Sequence, residues 1–319
     1  MSKALRVAVQ MDPIADVDIN GDTSFAMIEE AQARGARVWT YGPQMLSYDE
    51  GRVLARARPV TLSRAAAPHA REGEQAVLDL RKDVDVVLMR QDPPFDMAYI
   101  TAAHILELLA PDTLVVNDPA WVRSSPEKLF PLDFADLMPP TMISRDGTAI
   151  SAFRARHRDI IIKPLYGNGG AGIFLLKQGD SNFSALLETF FALSREPVMV
   201  QAFLPEVAQG DKRILLVDGE CTGGFNRLPQ KGETRSNMHV GGTAAPVELT
   251  ERDRQICAAL GPVLRERGLL FVGIDVIGGL LTEINVTSPT GVQELKRFTG
   301  IDACVPFWDA IERRLAARR

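Results

Sequence analysis

Residues 271–286 read FVGIDVIGGLLTEINV, a pattern that predicts two buried strands joined at the glycine pair. Alternate residues of a strand share one face, so Glu283 and Asn285 point the same way. Large apolar residues flank both of them, which makes that face a polar stripe in an otherwise buried hairpin. Carboxylate and amide oxygens are the ligands that Mg²⁺ prefers. If Asp275 in the first strand joins them, this stretch predicts a metal site.

The length of the turn decides whether Asp275 reaches that face. A two-residue turn at Gly278-Gly279 would place Asp275 opposite Thr282, with Glu283 on the other side. A three-residue turn would place Asp275 opposite Glu283, and glycine suits the left-handed position that such a turn needs. The sequence permits either turn. Two apposed carboxylates in an apolar setting would repel each other without a cation, and the competing interpretation is the solvent-facing polar side of an edge hairpin.

A glycine-rich turn lies upstream, within residues 160–177 (IIIKPLYGNGGAGIFLLK). Its GNGGAG matches the GxGxxG pattern of dinucleotide-binding folds, but that motif must open into a helix, whereas IFLLK predicts a strand. We therefore interpret the segment as strands at 160–163 and 173–177 around a flap, whose backbone N–H groups can fold over a polyphosphate. Lys163 ends the buried first strand, at the entrance to this flap.

The first third of the chain alternates strands with helices, which predicts a parallel α/β domain to about residue 120. Asp22 is placed to cap a helix that Gly35 ends. Arg90 follows a strand at 84–89, beyond whose carboxyl end ligands bind, so it could hold a substrate carboxylate by two parallel hydrogen bonds. The other predicted elements are strands at 5–10, 37–41, 113–116, 198–201, 213–217, 270–277 and 281–286, helices at 98–109, 182–193 and 251–267, and a terminal helix.

Residues 228–243 show no period and contain three glycines. Loops of this length are uncommon inside compact domains and often serve as lids. We expect this segment to be mobile without ligand and to close over a site.

Composition and charge exclude several classes of protein. The 319 residues carry a net charge of −5, and a pI near 5.5 disfavours nucleic-acid and membrane-surface roles. The three cysteines are widely spaced without a CxxC, which indicates neither a disulfide framework nor a zinc site. No apolar stretch approaches the roughly 20 residues that span a bilayer. These features predict a soluble, cytoplasmic protein with no nucleic-acid or membrane partner.

Seven strings in the chain carry a resemblance: MDPIA at 11–15, DTSFAM at 22–27, MRQDPPFD at 89–96, EKLF at 127–130, GDKR at 210–213, GETR at 232–235 and TEINVTSPT at 282–290. These strings resemble one family, the bacterial glutathione synthetases of the ATP-grasp ligase superfamily. They occur in the same order along the whole chain, and ligases that share only the ATP-grasp core lack the string at 89–96. At Tyr166 the family's flap often has an acidic residue instead.

The resemblance implies an α/β fold with an N-terminal parallel α/β domain (1–121) and two α+β ATP-grasp subdomains (122–203 and 204–319). It implies that ATP activates γ-glutamylcysteine as an acyl phosphate and that glycine then displaces phosphate. Mg²⁺ is the expected metal, with Mn²⁺ possible, and a homotetramer is the expected assembly. A different acceptor amine and a non-catalytic ATP-binding module are the alternatives.

The resemblance also assigns roles to residues of this chain. Arg213 and Arg235 would stabilise the transferred phosphoryl group, and Arg90, Ser288, Thr290 and Asn237 would bind substrate. Asp275, Glu283 and Asn285 would hold the metal. The ATP-binding residues would be Lys128, Lys163, Gly167, Gly169, Gly170, Gln201, Phe203, Leu204 and Asp211.

Overall fold

A computed structural model describes residues 4–65, 67–230, 232–233, 235–236 and 241–318. The helices in these ranges are α1 Thr23–Ala33, α2 Met97–Glu107, α3 Pro119–Ser124, α4 Gly147–His157, α5 Phe183–Leu193, α6 Glu251–Glu266, α7 Val292–Thr299 and α8 Cys304–Ala317. Short 3-10 helices lie at Ile14–Asp16, Pro43–Met45, Phe130–Leu137 and Pro205–Gln209. The predicted helices are confirmed, with ends that differ by one or two residues.

The strands form three sheets. The N-terminal sheet has the order β3-β4-β2-β1-β7-β8, with β5 and β6 also paired to β4. The central sheet has the order β11-β10-β12-β9, and the C-terminal sheet has the order β15-β14-β13-β16-β17. The strands are β1 Arg6–Gln10, β2 Arg37–Tyr41, β3 Leu46–Asp49, β4 Arg52–Leu62, β5 Ala70–Glu72, β6 Ala76–Asp79, β7 Val86–Met89, β8 Leu114–Val116, β9 Thr141–Ser144, β10 Ile160–Pro164, β11 Phe174–Leu176, β12 Val198–Ala202, β13 Asp211–Val217, β14 Glu220–Leu228, β15 Thr243–Ala245, β16 Phe271–Ile277 and β17 Leu280–Asn285.

The N-terminal sheet is parallel only in part. Strand β1 pairs parallel with β2 and β7, and β7 pairs parallel with β8, which confirms the α/β prediction. Strands β3 to β6, which the sequence prediction lacked, add an antiparallel extension in which β4 pairs with β2. Strand β4 does alternate buried and exposed residues, but it is rich in Ala and Arg, which carry little strand propensity.

Local signals for helix and turn are confirmed in α1 and in the glycine flap. The carboxylate of Asp22 accepts a hydrogen bond of 2.5 Å from the Phe25 N–H, which satisfies a free donor at the start of α1. Strands β10 and β11, on either side of the flap, pair antiparallel, so the flap is the turn of a hairpin and not a dinucleotide-binding turn. Gly169 and Gly170 have φ of 62° and 83°, a region that favours glycine.

Two of the three apolar cores join the N-terminal and C-terminal sheets. One of these cores packs β1 and α1 against α8, where the Trp308 indole N–H donates to the Met27 carbonyl at 2.8 Å. The central sheet and helices α4 and α5 enclose a separate core. The division at residues 121/122 and 203/204 stays a prediction.

None of the helices in the described ranges combines the length and apolar character needed to cross a membrane.

Candidate active site

The hairpin of β16 and β17 has a two-residue turn. Ile277 pairs with Leu280, and Gly278 and Gly279 between them have φ of 57° and 77°. Two successive positive φ values are typical of the tight turn that fits the twist of a hairpin. Of the two turns that the sequence permits, the structure thus has the one for which regular pairing would place Asp275 opposite Thr282.

Asp275 nevertheless lies opposite Glu283, because the ladder contains a bulge. The register shifts between Asp275 and Val276, and Thr282 is the extra residue of β17. Its hydroxyl donates to the Asp275 carbonyl at 3.1 Å. A bulge re-aims side chains within a strand. Here the bulge, and not a longer turn, places Asp275 opposite Glu283. Past the bulge, Gly273 pairs with Asn285 as the metal-site prediction required.

Arginines from two strands neutralise Asp275. Arg213 donates to both carboxylate oxygens, with Nε to Oδ1 at 2.6 Å and Nη2 to Oδ2 at 3.2 Å. The Nη2 of Arg227 lies 2.9 Å from Asp275 Oδ2 and 2.5 Å from Asp211 Oδ2. Burial alone would raise the pKa of Asp275, but the two guanidinium groups outweigh it and hold that pKa well below its usual range.

Arg227 is a candidate functional residue that the sequence analysis missed. It pairs with Asp211 across β13 and β14 and is 4% exposed. A tight turn at Asp218-Gly219 joins β13 to β14, and regular pairing from that turn would place Asp211 opposite residue 226. A bulge between Leu215 and Leu216 shifts the register by one and brings Arg227 into line.

Two buried lysines lie beside Glu283. The Nζ atoms of Lys163 and Lys128 are 3.5 Å and 3.8 Å from Glu283 Oε1. Burial lowers the pKa of Lys163, whereas Glu283 and Glu127 outweigh burial and raise the pKa of Lys128. Lys128 also contacts the Glu127 carboxylate and donates to the Gly167 carbonyl at 2.5 Å, which ties it to the flap. Glu127, whose pKa is raised by burial and by Glu283, was not predicted to act here.

A cleft of about 670 Å³ brings most of the predicted nucleotide residues together. One end is apolar and could hold a planar base, while the other end is charged and could hold phosphates. The predicted residues that line it are Lys163, Gln201, Phe203, Leu204, Asp211, Arg235, Asp275 and Glu283. Its apolar lining, absent from the prediction, includes Pro139, Ile161, Ile173 and Ile277.

The predicted substrate residues Arg90 and Ser288 lie away from this cleft. They line a smaller cavity of about 230 Å³. Arg90 donates from Nη1 to the Pro289 carbonyl at 3.0 Å and from Nε to Ser24 Oγ at 3.1 Å. Arg213 connects the two regions, because its Nη1 donates to the Thr290 carbonyl at 3.3 Å.

The flap and the segment after β14 meet at Arg235. Its Nη2 pairs with Glu233 Oε2 at 2.6 Å, and its Nη1 lies 3.5 Å from the Gly170 carbonyl. Asn237 and several neighbours in the predicted mobile loop 228–243 lie outside the described residues, so that loop stays a prediction.

The oxygen atoms of Asp275, Glu283 and Asn285 fit a hard divalent cation by their chemistry. The buried amide nitrogen of Asn285 has no hydrogen-bond partner among the described residues, so nothing there fixes the amide with its oxygen turned away. Within the same ranges, no group of three or more His, Cys, Asp or Glu side chains is arranged to hold a metal. Asp275, Glu283 and Asn285 would offer a cation two carboxylates and one amide oxygen.

Asp211 is expected to make stability depend on pH. Burial raises its pKa from 3.8 to about 6, against the opposing effect of Arg227. The folded protein then binds one more proton than the unfolded chain between these values, so the free energy of unfolding falls as the pH rises through them. We expect a fall of about 1–3 kcal/mol, at about 1.4 kcal/mol per pH unit. Urea unfolding between about pH 4 and about pH 6 should show a shallower fall in Asp211→Asn.

The matched control is Asp49→Asn, since Asp49 is half exposed and pairs with Arg52 at the surface. This variant should keep the wild-type pH dependence. Parallel pH profiles for wild type and Asp211→Asn would contradict the assignment.

The comparisons with known proteins agree with this geometry. Solved structures with the same fold include the D-cycloserine synthetase DcsG, with a TM-score of 0.69 and 15% identity over 97% of this chain and 99% of that one. The ATP-grasp ligase PsnB with its minimal precursor has a TM-score of 0.63 and 18% identity over 99% of both chains. These likenesses show that the chain has the ATP-grasp fold.

Two family profiles match nearly the whole chain. "Prokaryotic glutathione synthetase, N-terminal domain" matches residues 5–123, and "Prokaryotic glutathione synthetase, ATP-grasp domain" matches residues 127–300. The glutathione synthetase of Mesorhizobium japonicum is 58% identical over 97% of this chain and 98% of its own length. That of Agrobacterium fabrum is 54% identical over 100% and 99%. The chain belongs to the prokaryotic glutathione synthetase family.

Proposed function

We propose that this ATP-dependent ligase joins the cysteinyl carboxylate of γ-glutamylcysteine to the amine of glycine. The observation that carries the proposal is the cleft itself, where Lys163, Glu283 and the Arg213–Asp275 pair meet at the charged end. The relatives that are 54–58% identical over almost their full length are glutathione synthetases, which supports the choice of substrates.

The reaction needs an activated carboxylate, because a carboxylate and an amine do not condense at neutral pH. An oxygen of the cysteinyl carboxylate attacks the γ-phosphorus of ATP, which releases ADP and forms an acyl phosphate. The glycine amine then attacks the acyl carbon, loses a proton, and expels phosphate from the tetrahedral intermediate. Such chemistry depends mainly on positioning and on neutralising phosphate charge.

The charged end of the cleft supports this division of roles. Lys163 and Lys128 would neutralise phosphate oxygens, and an anionic phosphate would oppose the effect of burial, which lowers the pKa of Lys163. Arg213 is oriented by both oxygens of Asp275 and would face the transferred phosphoryl group. The flap, with Gly167, Gly169 and Gly170, would close over the phosphates, and Arg235 already lies beside it.

The apolar end would hold adenine, with the backbone of 201–204 as its hydrogen-bonding edge. Gln201 directs its own side-chain amide to Thr141 Oγ1 at 2.9 Å, so its side chain would contribute little to the base. Arg90, Ser288 and Thr290 would position the dipeptide. Ser288 donates to the Gln91 carbonyl at 2.6 Å, which fixes the segment past β17 to the N-terminal sheet.

We propose that Asp275, Glu283 and Asn285 hold Mg²⁺, or Mn²⁺ in its place. The cation would supply further neutralisation of the β- and γ-phosphates.

We also propose a cytoplasmic location, where ATP is supplied, and a homotetramer. The exposed side chains of Tyr48 and Val77 offer apolar area for a subunit contact. Cell fractionation and light scattering test these two proposals.

Phosphate release measured with each component omitted in turn tests the function. We expect release only when ATP, Mg²⁺, γ-glutamylcysteine and glycine are all present. Loss of each one should reduce the rate to background, because the acyl phosphate and its acceptor are both required. Turnover with D-alanine or glutamate but none with γ-glutamylcysteine would overturn the proposal, and a panel of amines with one dipeptide separates glycine from other acceptors.

A further inference from the structure

Two cysteines meet behind the C-terminal sheet, away from the cleft. The turn before β14 touches helix α6 so closely that a Cβ added at Gly219 would lie 2.5 Å from the Gly261 carbonyl oxygen. Cys221 lies two residues beyond Gly219 along the chain. Cys257 lies one helical turn before Gly261, on the same face of α6. The two thiols consequently lie close enough for an interaction in which Cys257 acts as hydrogen-bond donor to Cys221.

The two thiols differ in access and in acidity. Cys221 is exposed and Cys257 is buried. The hydrogen bond from Cys257 lowers the pKa of Cys221 against the opposing effect of burial, with further help from Arg254. The same hydrogen bond, with burial and the charge of a Cys221 thiolate, raises the pKa of Cys257. An exposed, more acidic thiol beside a buried one is the arrangement of an attacking and a resolving cysteine.

We propose that Cys221 and Cys257 form a reversible disulfide by exchange with a small-molecule disulfide such as glutathione disulfide. The Cys221 thiolate attacks one sulfur of the reagent, forms a mixed disulfide and releases one thiolate. The Cys257 thiol then loses its proton and attacks the Cys221 sulfur, which releases the second thiolate. Two protein thiols are oxidised and one external disulfide is reduced to two thiols. The first step removes the Cys221 charge that opposes ionisation of Cys257.

The disulfide would enclose the chain from Cys221 to Cys257. This ring contains the rest of β14, the whole of segment 228–243, and strand β15. Oxidation would thus tie the two ends of that segment to each other through β14 and α6. A cross-link that closes a ring of this size restricts the unfolded chain, so oxidised protein should unfold at a higher temperature than reduced protein.

The test treats the full chain with glutathione disulfide and measures the products by mass spectrometry. Wild type should lose two hydrogen masses, and trypsin should give a cross-link between the peptides 214–227 and 255–265. C257S should stop at a mixed disulfide and gain one glutathionyl group on Cys221. C221S should remain unmodified, because Cys257 is buried. The rise in unfolding temperature should appear in wild type and be absent from both variants.

The matched control is C304S, because Cys304 is buried in α8 and does not take part. It should form the cross-link as wild type does. Reducing agent should reverse the mass change and the temperature shift together. A stable glutathionyl adduct on wild type, a dimer linked through Cys221, or no reaction in wild type while the reduced protein stays folded would each overturn the proposal.

Discussion

Replacing Glu283 by glutamine is expected to lower kcat by on the order of 100- to 1000-fold, the range seen when one preorganised charge is removed from an active site. The amide keeps the size of the side chain but loses the charge that faces Lys163 and Lys128 at 3.5 Å and 3.8 Å. The KM for γ-glutamylcysteine should change only a few-fold, roughly, because the substitution acts on the phosphate end of the site. Initial rates of phosphate release give both constants.

The Mg²⁺ dependence separates a ligand from a residue that only pairs with lysine. We expect the Mg²⁺ concentration at half-maximal rate to rise by about tenfold, as one carboxylate of the donor set becomes neutral. Glu220→Gln is the control, since Glu220 is highly exposed on β14 and should leave both constants unchanged. An unaltered Mg²⁺ titration in Glu283→Gln would show that the metal site is assigned to the wrong residues.

The second large effect is expected in Arg227→Met, as a loss of stability. Arg227 is buried between Asp211 and Asp275. Its removal leaves the Asp211 carboxylate with the hydrogen bond that Ser236 Oγ donates to Oδ2 at 2.9 Å. Breaking a buried ion pair from one side leaves an uncompensated charge, which costs about 3–5 kcal/mol. Because Arg213 still pairs with Asp275, we expect a loss of about 2–4 kcal/mol. Urea unfolding measures it.

Arg265→Met is the matched control for this substitution. Arg265 pairs with Glu220 at 2.8 Å on the surface, and exposed pairs contribute only about 0–1 kcal/mol. Equal losses in the two variants would mean that Arg227 does not hold the carboxylates together. A further substitution, Asp211→Asn in the Arg227→Met background, should recover part of the stability, since it removes one of the unpaired charges.

Strand alternation predicted which face of β17 carries the site, but not how Asp275 reaches it. Counting residues assumes a regular ladder, so the only available way to change register was a longer turn. The bulge at Thr282 changes the register inside the ladder instead. A bulge is set by packing and by single hydrogen bonds, such as that from Thr282 to the Asp275 carbonyl, and these leave no periodic trace in a sequence.

Arg227 was missed for the same reason, because residue counting along a strand cannot detect a bulge. Its place opposite Asp211 depends on the second bulge, in β13 and β14. Elements with strong local signals, such as the Asp22 cap of α1 and the parallel strands β1, β2 and β7, could be predicted from sequence alone. Among side chains brought together from separate elements, Lys128 beside Glu283 was predicted only through the family strings and not through spacing, and its neighbour Glu127 was not predicted at all.

The separate core of the central sheet allows the nucleotide cleft to open and close. The central body, which is the part of the chain from β9 to β12, connects to the rest of the protein through one segment before β9 and another after β12. A body attached through two chain segments can rotate about the line between them. Its own apolar core and the two cores that join the other sheets stay intact during such a rotation. Among the described residues, the contacts across the cleft include the Lys128–Gly167 and Arg235–Gly170 hydrogen bonds and the Lys163–Glu283 ion pair. The aromatic pair Phe95–Tyr166, whose ring centroids are 6.2 Å apart, also joins the central body to the N-terminal domain. Opening therefore breaks these few contacts but no apolar core, and a nucleotide that binds both sides of the cleft can convert its binding energy into closure.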